Sequence, residues 1–422
     1  MPPRRLCRAK EAKKTRREDA LFEYFPDNYS WSLAVMLALQ CGGVMSEIDD
    51  ACHALKPIAA GPENEVLPQW QQSWAMLADR AQSLAQANLA RGYTLGAGAK
   101  FRRAAAYALM SERMMRGHDA ARGEAYVRAR DLVRKSIELT GEPVTPVEIP
   151  YLTTSLPGLF YQAPGRGPRP CLIFFSGFDV SKEYLYLFGI GRELAARGIS
   201  TLFIDHPGVG EALRLRALYG FPETERAASP CVDYLRARDD VDSDRIGVSG
   251  VSLGGYYAAR SAAFEKRLAA CICWGAQWDY GAVTLARARK QGTALSVSSW
   301  AEHAQWVFGV EGMDRVLEIT ARMTLEGVAE LIECPLLVIH GESDRQIPLA
   351  HAHKLIAAAT RAPIKELKLF DKASGGAEHC QADNSLLGIE FFADWAAEIF
   401  KTVPARPAPG ARRDEYRGAP VA

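Results

Sequence analysis

Two textures of hydrophobic spacing divide the chain near residue 142. From residue 19 to 142, apolar side chains recur every three or four positions among abundant Ala, Leu, Arg and Glu, as in "VLPQWQQSWAMLADRAQSLAQANLARG" and "AKFRRAAAYALMSERMM". That period is helical, and nothing in the stretch reads as a strand. "TGEPVTPVEIP" then supplies a glycine and three prolines, which stop helix continuation and mark a boundary.

Beyond the boundary, short β-rich runs alternate with helical text: "VEIPYL", "GLFYQA", "CLIFFSG", "STLFID", "RIGVSG", "LAACICW", "PLLVIHG" and "IKELKLF". The first two predict a hairpin and the rest buried parallel strands. The alternation predicts an α/β fold over residues 143–402, its sheet mostly parallel and covered by helices on both faces. Between "CICW" and "PLLVIHG" lie about sixty residues, far more than a crossover needs. This helical, tryptophan-bearing stretch, about residues 276–330, predicts a lid-like insertion. Residues 1–18 form a basic tail and residues 403–422 a Pro-, Ala- and Arg-rich one, both expected to be disordered.

Composition narrows the partners. Fifty-one Lys and Arg against fifty Asp and Glu give a formal charge of +1, so no global field favours nucleic acid or an anionic membrane. The expected partners are a small molecule and a second copy of the chain, paired through the helical region. "WSLAVMLALQCGGVM" is too short and too interrupted by glycine to span a bilayer. The nine cysteines are scattered without a CxxC pair, and Cys271 and Cys273 alternate within an apolar run as core residues do. Reduced thiols and a cytoplasmic location are the expectation, with no metal or other cofactor.

The chemistry begins at "RIGVSGVSLGGYYAAR". Only Ser252 satisfies G-x-S-x-G, as Gly250-Val251-Ser252-Leu253-Gly254, whereas Ser249 has valine two positions later. With a strand before and a helix after, this pattern holds a serine out at a sharp bend. A serine hydroxyl needs a base and a group to orient that base, in the chain order Ser, Asp or Glu, His. "PLLVIHG" is followed by "ESDRQIP", offering Asp344 in a loop at a strand end, with Glu342 as a rival closer to the strand. "IKELKLF" is followed by "DKASGGAEHC", offering His379; the other seven histidines fall on helices, within the insertion, at a strand end or at a pocket edge. The expected oxyanion hole pairs the backbone N–H of Leu253 with that of Phe178 in "SGFD", where Gly177 permits close approach. Tyr186, Trp274, Trp278 and Tyr280 are candidate aromatic walls for the substrate.

"FFSGFDVSKEYLY", "FIDHPGVGEA", "GVSGVSLGGYYAAR", "HGESDRQIP" and "GGAEHC", with the helical "AKFRRAAAYALMSERMM" ahead of them, resemble the α/β-hydrolases related to 2,6-dihydroxypseudooxynicotine hydrolase and the fungal polyketide-shortening hydrolases. The resemblance implies an α/β-hydrolase fold with an amino-terminal all-helical cap domain, and cofactor-free hydrolysis of a carbon–carbon bond next to a ketone. It implies Ser252, Asp344 and His379 as the triad and an aromatic or polyketide-like substrate. It also implies that Glu183 of "SKEYLY", by itself an ordinary charge at a helix start, lies near the substrate. Two positions depart from the pattern: serine precedes Gly177, and Glu211 stands where such hydrolases commonly carry serine. An esterase or lactonase, an acyltransferase or cyclase, and a non-catalytic receptor are the competing readings.

Overall fold

The computed structural model describes residues 22–402 apart from 27, 118 and 290–293, so both expected tails lie outside the described residues. Helices α1 (Tyr29–Gln40), α2 (Met45–Cys52), α3 (Glu63–Ala90), α4 (Thr94–Arg113) and α5 (Ala120–Thr140) come first. The Asn28 side chain caps α1 by accepting from Trp31 N at 3.1 Å, and Asp119 caps α5 by accepting from Ala121 N at 2.9 Å. Apolar faces of these helices meet in a column of indoles: ring centroids lie 4.7 Å apart for Trp31 and Trp70 and 5.3 Å apart for Trp70 and Trp74. Trp70 Nε1 donates to Met110 O at 2.8 Å, so the indole is buried without orphaning its polar atom. Gly141, at φ 67°, ends α5 in the left-handed conformation and turns the chain into the sheet.

The strands are β1 (Val144–Tyr151), β2 (Thr154–Tyr161), β3 (Arg169–Phe175), β4 (Ser200–Ile204), β5 (Val241–Val251), β6 (Cys271–Trp274), β7 (Leu336–Gly341) and β8 (Lys365–Phe370). They lie in the order β1-β2-β4-β3-β5-β6-β7-β8. β1 and β2 form an antiparallel hairpin and β2 runs antiparallel to β4; every other pairing is parallel. The central strands are buried on both faces, β4 throughout its length. β8 departs from the expected buried strand. As an edge it carries Lys365, Glu366 and Lys368 and fully buries only Phe370, while the opposite edge, β1, carries Pro146 and Pro150. Charge and proline discourage further strand pairing at both margins. The thiols of Cys271 and Cys273 sit 3.9 Å apart inside the core.

Helices α6 (Lys182–Leu187), α7 (Ile190–Ala196), α8 (Gly210–Arg216), α9 (Glu225–Arg236) and α10 (Leu253–Phe264) connect the strands up to β6. Between β6 and β7 the chain forms α11 (Tyr280–Ala288), α12 (Trp300–Phe308) and α13 (Met313–Thr320); α14 (Ala350–Ala358) and α15 (Ser385–Thr402) complete the fold. This is the α/β-hydrolase fold preceded by a helical region. Parallel strands deliver the loops after β3, β5, β6, β7 and β8 to one edge of the sheet. The helical region docks there: Gln40 Nε2 donates to Ala382 O at 2.7 Å, and Tyr184 OH donates to Leu109 O at 3.1 Å. No described helix is long and apolar enough to cross a membrane.

Candidate active site

Ser252 stands between the end of β5 and the first residue of α10, at φ 59° and ψ −121°. A non-glycine residue there costs of order 1–3 kcal/mol and persists only where its surroundings fix it. The flanking glycines show what fixes it. A Cβ on Gly250 would lie 2.0 Å from Gly254 O, and one on Gly255 would lie 2.1 Å from Gly275 O. Ser252 N donates to Trp274 O at 2.7 Å, tying the bend to β6. Ser249, by contrast, is buried in mid-strand.

The expected base, His379, lies in the segment after β8. His379 Nε2 lies 2.8 Å from Ser252 Oγ, and His379 Nδ1 lies 2.8 Å from Asp344 Oδ2. A carboxylate only accepts, so Nδ1–H donates to Asp344; in the neutral ring Nε2 is then free to accept from the serine hydroxyl. Asp344 is held by backbone donors, its Oδ1 accepting from Gln346 N at 2.8 Å and Ile347 N at 2.9 Å. The rival acid, Glu342, is exposed. Gly341 lets the two loops meet, since a Cβ there would fall 2.2 Å from Ala377 O. Burial disfavours the charged imidazolium, but the adjacent Asp344 carboxylate outweighs it and holds the His379 pKa well above its ordinary value. Burial likewise pushes Asp344 up, and the field of His379 reverses this, leaving its carboxyl below the usual range.

The loop after β3 lies across the serine. A Cβ on Gly177 would come within 3.0 Å of Ser252 Cβ, so the backbone passes directly against it. The ring of Phe178 points into an aromatic cluster, 5.0 Å from His303 and 6.1 Å from Tyr280 between centroids, which anchors the loop. Leu253 N, at the first position of α10, has no carbonyl within its own helix to bond and lies at the positive end of the helix dipole.

Ser252 and His379 open on a cleft walled from both the sheet edge and the helical region. Of the four aromatic candidates, Trp274 lines it, with its indole N–H donating to Gln381 Oε1 at 2.6 Å. The other three stand elsewhere. Tyr186 OH donates to Glu142 Oε2 at 3.1 Å, and its ring faces the Arg102 guanidinium at the seam with the helical region. Tyr280 backs Phe178 from behind, and Trp278 N donates to His351 Nδ1 at 3.1 Å in the segment beyond β6.

Glu183 is also not in the cleft wall. It is 1% exposed, with Oε1 2.8 Å from Lys182 Nζ and Oε2 accepting from Ser181 Oγ at 2.6 Å and Tyr126 OH at 2.9 Å. Lys182 Nζ also meets Asp205 at 2.9 Å and Glu211 at 3.1 Å. The charge of Glu183 is therefore consumed in a sealed junction, and Glu211, the departure from the common pattern, belongs to the same junction.

The cleft is built instead from residues without a local motif. Leu33, Leu37, Gln40 and Arg113 reach it from the helical region, Asp179 and Val180 from the loop after β3, and Cys380 from beside the histidine. Cys380 adopts φ 49°, and its sulfur lies 3.6 Å from His379 Nε2. Asp179, one residue past a proposed oxyanion donor, and Cys380, one residue past the proposed base, hold positions that the sequence can flag. The helix residues meet the site only through docking.

Comparison with known proteins agrees with this architecture. A family profile described as Esterase FrsA-like matches residues 66–284, more than half of the chain, and one described as the Prolyl oligopeptidase family matches residues 228–402. The chain is 29% identical over 331 residues to 2,6-dihydropseudooxynicotine hydrolase of Paenarthrobacter nicotinovorans, covering 78% of this chain and 84% of that one. It is 30% identical over 307 residues to 20-hydroxy-prefusarin hydrolase FUS2 of Gibberella moniliformis, covering 64% and 72%. The crystal structure of the 2,6-dihydroxy-pseudo-oxynicotine hydrolase superposes with a TM-score of 0.70 at 26% identity, over 87% of this chain and 95% of that one. The chain belongs to the FrsA-like esterase family of α/β-hydrolases, and it is itself a hydrolase.

Proposed function

We propose that the protein hydrolyses a carbon–carbon bond next to a ketone in a 1,3-dicarbonyl or acyl-aromatic substrate, with Ser252 as nucleophile, His379 as general base and Asp344 as its orienting partner. The observation that carries this reading is the unbroken chain of two 2.8 Å contacts from Asp344 through His379 to Ser252, ending on a serine at φ 59° in the cleft wall.

His379 takes the hydroxyl proton as Oγ of Ser252 bonds to the substrate carbonyl carbon, and the carbonyl electron pair moves onto oxygen. The backbone N–H groups of Phe178 and Leu253 receive that oxyanion, each such donor contributing about 3 kcal/mol to the transition state. Collapse of the intermediate breaks the carbon–carbon bond, and the departing enolate or electron-rich arene takes its proton from the His379 imidazolium. Water then adds to the acyl-enzyme with His379 again as base, releasing a carboxylic acid and restoring the serine.

Hydrolysis of an ester by the same groups is the second reading. It is favoured by the family's description as esterases and by the position of Glu183, which leaves His379 as the proton donor to either leaving group. Mass analysis of products from an aryl 1,3-diketone and a matched aryl ester decides between them. Cleavage of the diketone into an acid and a ketone is expected; turnover of the ester alone would install the second reading. A fluorophosphonate probe should label the wild-type protein and spare Ser252→Ala, and labelling elsewhere would remove Ser252 from its role.

A further inference from the structure

The cleft is walled mainly by apolar side chains, among them Leu33, Leu37, Val180 and Trp274, yet it contains one complete ion pair. Arg113, from the last turn of α4, directs Nη2 to Asp179 Oδ2 at 2.9 Å and to Ser296 O at 3.0 Å, and Nη1 to Asp179 O at 3.3 Å. The Arg113 side chain is 1% exposed, whereas that of Asp179 is 10% exposed and lines the cleft together with Ser252 and His379. Burying such a pair rarely raises stability over an apolar replacement, so the placement of this one at the reacting end of the cleft asks for a use.

Asp179 directly follows Phe178, the residue whose N–H is assigned to the oxyanion, and it lines the same cleft as Ser252 and His379. Burial pushes the Asp179 carboxyl up, but the Arg113 guanidinium first, then a hydrogen bond from Ser296 and the nearby imidazoles of His303 and His379, hold it below the usual carboxylate range. The chemistry of an acceptable ligand follows from the pair. A cationic group approaching Asp179 would meet the Arg113 guanidinium, and an anionic one would meet the carboxylate itself. A neutral O–H or N–H donor meets neither objection, and a carboxylate accepts from it about twice as strongly as a neutral oxygen would.

Resting on the hydrolase reading above, we propose that Asp179, held by Arg113, is the specificity residue of the cleft and accepts a hydrogen bond from a neutral hydroxyl on the substrate's aryl or enol portion. The protein thereby selects hydroxylated acyl substrates over their unsubstituted analogues. A site built around an acceptor rejects a partner lacking the donor far better than an apolar site separates two shapes.

The test uses binding, so it does not depend on which bond is cleaved. In the full-length Ser252→Ala protein, calorimetry compares 1-(3-hydroxyphenyl)butane-1,3-dione with 1-phenylbutane-1,3-dione, and 3-hydroxyphenyl acetate with phenyl acetate. The hydroxylated member of each pair should bind at least about tenfold more tightly. Asp179→Asn should bring that ratio below about threefold while changing the affinity for the unsubstituted member little. Because Asp179→Asn strands a buried guanidinium, Asp179→Ala/Arg113→Met, which leaves no charge unpaired, should abolish the ratio in a folded protein. A purely structural clamp would weaken both members of a pair equally and leave the ratio intact. Equal affinities in the Ser252→Ala protein, no binding of either member, or a ratio that survives both variants overturns the proposal. Failure of the wild-type protein to cleave the diketone bears on the bond that is broken and leaves the binding ratio as it is.

Discussion

Two buried clusters of charge lie on either side of the loop after β3, and they differ in what they are open to. Asp344, His379 and Ser252 form a linear chain whose last atom faces the cleft. Lys182, Glu183, Asp205, Glu211 and Tyr126 form a closed knot in which one ammonium meets three carboxylates and a phenol from the helical region completes the shell. Both perturb their members' pKa values. Burial and then the neighbouring Glu183 hold the Asp205 carboxyl above its usual range against the pull of Lys182, and burial is outweighed by Lys182 at Glu183, whose carboxyl falls below it. A shifted pKa is therefore no guide to function here. Access to a cavity separates the two clusters, and that is a property of docked surfaces.

The comparison breaks most visibly at the open cluster. Ser252→Ala or His379→Ala should lower kcat by about 10⁴-fold or more with little change in melting temperature. A variant that lost stability instead would show the chain to be structural. The same cluster sets the pH profile. On the proposed mechanism His379 must be neutral to act, and its pKa is raised, so kcat/KM should fall as pH drops through a limb lying above the ordinary 6.5 of histidine. Asp344→Asn removes the carboxylate that raises it and should move the remaining activity's limb to lower pH. An unmoved limb in that variant would assign the titration to another group.

The closed cluster should respond the opposite way. Lys182→Met leaves buried carboxylates without their cation and should cost about 3–5 kcal/mol of stability, read from chemical denaturation. Tyr126→Phe removes hydrogen bonds at 2.9 Å to Glu183 and 3.3 Å to Asp205 and should cost about 1–2 kcal/mol. Turnover per folded molecule should fall far less in either variant than in Ser252→Ala. A loss of kcat in Tyr126→Phe with stability intact would mean that the knot reaches the cleft after all.

The same contrast explains what could be read from the residues beforehand. Ser252 was legible because its geometry is local: the flanking glycines are dictated by contacts within a few residues and with adjacent strands. Asp344 and His379 were legible because strand ends in a parallel sheet gather on one edge, so a loop position predicts a place. The fate of Glu183 was not. Nothing within "SKEYLY" announces that Asp205, Glu211 and a tyrosine fifty-seven residues upstream will enclose it. Arg113, Leu33 and Leu37 read as ordinary helix residues for the same reason, since they face the cleft only through the packing of α1 and α4 against the sheet edge.

Cys380 is the finest test of where the open cluster ends. Its sulfur lies within 3.6 Å of His379 Nε2, but it donates to Trp274 O at 3.4 Å, and a thiol is a weak partner in either role. Space around it is tight, since a Cβ on Gly275 would fall 2.8 Å from the sulfur. Cys380→Ala removes that atom without adding bulk and should change kcat/KM by less than about threefold, under ~1 kcal/mol of transition-state energy. Carboxamidomethylation of Cys380 in the wild-type protein should nevertheless block the cleft, because Cys380 lines it together with Ser252 and His379. Iodoacetamide should then inactivate the wild type and spare Cys380→Ala. A hundredfold loss in Cys380→Ala would instead make the thiol a member of the hydrogen-bond chain and extend the open cluster to four residues.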